Sequence, residues 1–156
     1  MHHHRLSVYS ILIEMKKFFT NYSLYIAFGI SLAASLASLA LSEIFMLPPC
    51  VLCWYQRAMM YSIPFILGIG IYYKDKFVDR YVWPLATIGW ITALYHTLLQ
   101  WKILPESVAP CQAGISCTTV QINYFGFMTI PFGSLMAFSG ILISLYLYRR
   151  FNGKRN

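Results

Sequence analysis

Apolar residues fall into four long blocks separated by short polar connections, at about residues 24–45, 50–73, 82–101 and 125–148. Each block has roughly 20–24 residues, which as helix covers the ~30 Å hydrocarbon of a bilayer. Backbone groups in lipid must be satisfied within the segment, so helix is the expected state. Pro64, Pro84 and Pro131 fall within these blocks, where membrane helices tolerate proline better than soluble ones.

The blocks carry internal pattern. Ala27, Ser31, Ser35, Ser38 and Ser42 form a stripe of small residues on the first, and Gly133, Ala137, Gly140 and Ser144 form another on the fourth. Such spacing lets helix backbones approach closely. With short connections, it predicts an all-α, integral membrane four-helix bundle. The domain expected to span the membrane covers residues 15–150, with residues 151–156 a basic cytoplasmic tail. Residues 1–14, with three histidines after Met1, read as a tag or a disordered N-terminus. No cleavable signal peptide is recognisable.

Composition agrees. Apolar residues make up 58% of the chain and charged residues 11%, where a soluble domain carries about a quarter charged. The net charge of +7 does not point to nucleic acid, because the basic residues alternate with the spans. Arg5, Lys16 and Lys17 precede the first span, Lys74, Lys76 and Arg80 follow the second, and Arg149, Arg150, Lys154 and Arg155 follow the fourth. The other two connections hold only Arg57 and Lys102. The excess of positive charge puts both termini in the cytoplasm.

All four cysteines, Cys50, Cys53, Cys111 and Cys117, then lie in or beside the connections on the outer side, where disulfides persist. Cys50 and Cys53 form a Cys-x-x-Cys pair just after Pro48-Pro49, a position that opens a helix. Free N–H groups and the helix dipole favour a thiolate there. Arg57 follows one turn beyond Cys53 on the same face. A permanent cation at that depth is a candidate for function, able to stabilise a thiolate or a reduced quinone oxygen. Two dithiols at different depths suggest an electron relay. The bland alternatives are a zinc site or two structural disulfides. The spacing of Cys111 and Cys117 is not typical of a zinc site, and a Cys-x-x-Cys bridge closes a small, reactive loop, which disfavours a purely structural role. His96 lies near the depth of Arg57 and reads as a lining residue or proton relay of a quinone pocket, or as an interfacial histidine. Trp54 reads as a ring-stacking partner or part of an aromatic belt.

The stretch Cys50-Val-Leu-Cys53-Trp-Tyr-Gln-Arg57 resembles the signature of the disulfide bond formation protein B (DsbB) family, whose Gram-positive members are called BdbC. The resemblance covers nearly the whole chain. The close spacing of Cys111 and Cys117 is like that of the BdbC-like branch. The resemblance implies a quinone-dependent protein-thiol oxidase in a bacterial cell membrane. Its partner would be an extracytoplasmic thioredoxin-like thiol oxidant (DsbA/BdbD-like), and its electron acceptor menaquinone or ubiquinone. Cys111 would form the mixed disulfide with the partner, and Cys117 would exchange with Cys50. Cys53 would contact the quinone as a charge-transfer donor, and Arg57 would hold it. Two other readings are a quinone reductase of the vitamin K epoxide reductase type and a transporter or assembly subunit. The second lacks the mid-span acidic residues and repeats expected of it.

Overall fold

The computed structural model describes residues 2–105, 116–117 and 129–152, with backbone alone for 2–21 and for Asn152. The described residues form four helices: α1 (His2–Glu43), α2 (Val51–Tyr72), α3 (Val78–Gln100) and α4 (Ile130–Asn152). Three segments, Tyr22–Glu43, Val78–Gln100 and Ile130–Phe151, are long and apolar enough to cross a membrane. α2 has 22 residues, enough length, but its first two turns hold Tyr55, Gln56 and Arg57.

Local chemistry sets the boundaries. The side chain of Cys50 caps α2, accepting from the Cys53 N–H at 3.3 Å. α3 begins at Val78, earlier than the apolar pattern predicts, because Asp75 Oδ1 accepts from the Phe77 N–H at 2.8 Å and turns the chain into the helix. α2 and α3 are closed by Lys74 and Lys102, both at positive φ. At each end a backbone N–H reaches back five residues, Asp75 to Gly70 and Ile103 to Leu98, the closure that usually employs glycine. α4 starts at Ile130, with Pro131 in its first turn, where the missing N–H costs nothing. Residues 125–128, the start expected from the pattern, lie outside the described residues.

α1 packs on α2 and α4, and α3 packs on the same two helices. Cross-helix contacts give the directions. Ser35 Oγ leans to the carbonyl of Met60, Gln56 meets His96, and Trp90 Nε1 donates to Ser139 Oγ at 2.9 Å. Each helix thus runs antiparallel to its predecessor. Met60 is four residues before Pro64, so its carbonyl has no N–H to accept from within α2; the serine of α1 stands beside it. The centre is filled by Ile63, Leu67, Val82, Phe138, Ile141 and Leu145, all fully buried. Outward faces are apolar too: Phe65, Ile69, Ile91 and Ile143 are 73%, 61%, 55% and 60% exposed. Helices apolar both inward and outward suit lipid, not water.

Antiparallel helices bring the chemistry to one end. Cys50, Cys53, Gln56, Arg57 and His96 lie at the end where α2 begins and α3 finishes. Lys74, Lys76, Arg80, Arg149 and Arg150 lie at the opposite end. There Arg149 Nε donates to Asp79, which is buried, and its guanidinium stacks 5.1 Å above the Trp83 ring.

Candidate active site

The site grows from the first turn of α2. Cys50 is buried and Cys53 half-buried, both with free thiols, and their sulfurs are 2.7 Å apart. Cys117 is also buried and is disulfide-bonded. Cys111 lies outside the described residues. Cys50 Sγ, a ring nitrogen of His96 and Cys117 Sγ all lie within 4.8 Å of one another. A cysteine of the helix pair thus stands beside a cysteine of the loop, and the fold supplies that adjacency from residues far apart in sequence. A disulfide sulfur is not the thiolate that zinc takes, so this trio does not offer a zinc donor set in the state seen.

His96 sits between the two cysteines, 1% exposed. Its Nε2 is 3.1 Å from the Cys117 carbonyl oxygen and 3.7 Å from Cys50 Sγ. Its Nδ1 is 3.0 Å from Gln56 Nε2. Ser134 Oγ, on α4, donates to Gln56 Oε1 at 2.6 Å. Three helices and the loop thus meet in one buried polar chain, where paired groups are the rule.

On the other side of α2 is a cavity of about 320 Å3, walled by α1, α2 and α4. Cys53, Gln56 and Arg57 line it from α2, Ser38 and Leu41 from α1, and Pro131, Ser134 and Phe138 from α4. Leu47 and Pro49 close it at the connection. The Arg57 guanidinium donates through Nη2 to the Ser38 carbonyl at 3.0 Å and to Ser42 Oγ. A half-buried cation on an apolar wall needs such acceptors, and α1 provides them. The two faces of α2's first turn therefore differ. Cys50 faces the loop cysteine, and Cys53 faces a mostly apolar cavity holding a guanidinium.

The expected site residues within the described part of the chain come together here, Cys111 lying outside it. Cys50, Cys53 and Arg57 share the turn, and Cys117 meets Cys50. His96 is beside the cysteines, with Gln56 between it and the cavity. Trp54 is 61% exposed on the outer face of α2, its ring centroid 5.8 Å from the Arg57 guanidinium carbon. Sequence reasoning did not single out Gln56 or Ser134. It read Ser38 and Ser42 only as packing residues. Gln56 carries a usable signal, an uncharged amide next to an arginine inside an apolar block. Ser134 carries none.

These features define a helical membrane protein that holds a pair of free thiols beside a disulfide-bonded cysteine at one end. Comparison with known proteins makes the assignment specific. The family model for the disulfide bond formation protein DsbB matches residues 20–148. "Probable disulfide formation protein C 2" of Bacillus anthracis is 46% identical over 127 residues, 81% of this chain and 89% of that protein. "Disulfide bond formation protein C" of Bacillus subtilis (strain 168) is 43% identical over 126 residues, 81% of this chain and 91% of that protein. "Probable disulfide formation protein" of Chlamydia pneumoniae is 35% identical over 139 residues, 89% of this chain and the whole of that protein. No solved structure matches the chain. The chain belongs to the DsbB family of disulfide bond formation proteins, and with it to the membrane thiol oxidoreductases that form disulfides.

Proposed function

We propose that the chain is a membrane thiol:quinone oxidoreductase. It reoxidises a thioredoxin-like protein on the extracytoplasmic side and passes two electrons to menaquinone or ubiquinone. What carries this reading is the two-faced turn of α2: Cys50 Sγ within 4.8 Å of Cys117 Sγ, and Cys53 in the wall of a cavity that also holds Arg57. The four helices form a membrane-spanning bundle. Its basic end and both termini lie in the cytoplasm, following the positive-inside rule, and its cysteine end faces outward.

The exchange follows from thiol chemistry. A partner thiolate attacks Cys111 of the Cys111–Cys117 disulfide and releases Cys117 as thiolate. The partner's second thiol then resolves the mixed disulfide, leaving the partner oxidised and the loop pair reduced. Cys117 next attacks Cys50 of an oxidised Cys50–Cys53 pair, and Cys53 leaves as thiolate. Cys111 attacks Cys117 in turn, the loop disulfide re-forms, and Cys50 is released. The helix pair has gained two electrons, and thiol protons are conserved overall. Leaving is eased at Cys50 by the Cys53 N–H, which donates to its sulfur at 3.3 Å.

A quinone, when bound, takes up two electrons and two protons. The cavity fits such a ring: its volume of about 320 Å3 falls at the lower end of ligand pockets, ~300–1,000 Å3. Its walls are mainly apolar, with a few polar groups at one end. Arg57, held by α1 and lining the cavity, would hold a quinone oxygen through its remaining N–H groups. Cys53 lies in the same wall, and its sulfur returns to the disulfide as electrons leave.

The test uses purified protein in detergent, mixed with a reduced thioredoxin-like partner and a quinone. Thiol loss and quinone reduction, followed together, should proceed at two thiols lost for each quinone reduced. Cys53→Ser should abolish both at steady state. Unchanged turnover in that variant would refute the assignment, and stoichiometric zinc uptake without electron transfer would replace it with a metal site.

A further inference from the structure

We infer that Gln56 is a positioning residue for exchange between the two cysteine pairs, acting by fixing the tautomer of His96. This rests on the relay proposed above and adds to it a residue and a mechanism.

The argument follows the hydrogen bonds. Ser134 Oγ donates to Gln56 Oε1 at 2.6 Å, so the amide oxygen faces α4 and the amide nitrogen faces His96. Gln56 Nε2 has only hydrogens to offer, and it lies 3.0 Å from His96 Nδ1. Nδ1 must therefore accept, and the ring proton of a neutral imidazole resides on Nε2. That N–H points at the Cys117 carbonyl, 3.1 Å away, with Cys50 Sγ at 3.7 Å. The backbone of Cys117 is thus tied to the ring that also faces Cys50. The opposite tautomer would set two lone pairs against each other, on Nε2 and on the Cys117 oxygen, and push the loop away.

Burial strengthens the constraint. Gln56 and His96 are 6% and 1% exposed, so water does not readily replace a lost partner. The amide forms part of the cavity wall on one side and the support of the exchange site on the other. Gln56 touches neither Cys50 nor Cys117 in this role. It acts through His96.

The experiment has two readouts. Imidazole 15N resonances of His96 are recorded in the full-length protein with labelled histidine, assigned by loss of the signal in His96→Ala. The parent should show a protonated-type Nε2 and an acceptor-type Nδ1. Gln56→Leu should lose this pattern for a mixture or the reverse. Ser134→Ala, which leaves the glutamine but frees its amide to turn over, should give a mixture. In turnover with the thioredoxin-like partner, both variants should lower kcat, Gln56→Leu by about tenfold, with KM for the partner unchanged. A parental 15N pattern in folded Gln56→Leu overturns the inference, as does a changed pattern with unchanged kcat. If Gln56→Leu does not fold, Ser134→Ala decides by the same two criteria. The 15N readout needs no electron transfer, so loss of the relay reading through Cys53→Ser and loss of this inference are separately visible.

Discussion

Arg57→Lys tests how the cavity is charged. The substitution keeps the positive charge and removes the planar fork. In the parent, Nη2 serves α1 through the Ser38 carbonyl at 3.0 Å and Ser42 Oγ. Nε and Nη1 remain for an occupant of the cavity. A lysine ammonium concentrates its donors on one atom. That atom can sit against α1 or reach into the cavity, and it does not hold both positions with good geometry. The expected loss is one charge-assisted hydrogen bond to the occupant, ~1.5–3 kcal/mol. With 1.4 kcal/mol per factor of ten, KM for the quinone should rise about 10- to 150-fold. The assay is steady-state quinone reduction in detergent at saturating reduced partner, with quinone varied. Capture of the partner's thiol by the loop pair, read by acid quench, is the internal control because it occurs at the other pair. A quinone KM equal to the parent's, in a variant that folds, would refute the claim that the guanidinium fork holds the acceptor.

Other expectations follow from the same geometry. Ser42→Ala removes one of two acceptors from Nη2 and leaves the Ser38 carbonyl, so quinone KM should rise by about fivefold, ~1 kcal/mol, measured in the same titration. Gly70→Ala would drive a methyl group into the Val78 side chain, where α2 meets α3. Such overpacking costs ~1–3 kcal/mol and should lower the thermal midpoint in detergent, while quinone KM stays the same. Asp79→Ala takes the buried acceptor from Arg149. It should destabilise by ~1–3 kcal/mol, again read as a lower thermal midpoint; an unchanged midpoint would show that the pair adds nothing.

Some of this was legible in the sequence because the signal is local. Four apolar blocks announce four helices, and Cys50, Cys53 and Arg57 sit within eight residues on one helix start. The ends were less legible because caps are made by residues that do not advertise it. Lys74 and Lys102 adopt the left-handed conformation where glycine is expected, and a cysteine caps α2. The polar chain was illegible for a different reason. Gln56 and His96 are 40 residues apart, and Gln56 and Ser134 are 78 apart. No periodicity within one helix reports a bond between two. The loop pair was read from spacing alone, and Cys111 lies outside the described residues.

The depth of Arg57 is where packing and chemistry become the same question. Read alone, a guanidinium in an apolar block is a cost. Read alone, a serine stripe on α1 is a device for close packing. Together they cancel: the stripe lets α1 come near enough to α2 for Ser38 and Ser42 to offer oxygen to the guanidinium. A leucine at either position would separate the helices and deprive the cation of its acceptors at once. Alanine separates the two roles, because it preserves the approach and deletes the hydroxyl. Ser42→Ala is therefore the cleaner probe of electrostatics. Unchanged stability together with an unchanged quinone KM there would mean that the stripe serves packing and the arginine stands without the hydroxyl's help.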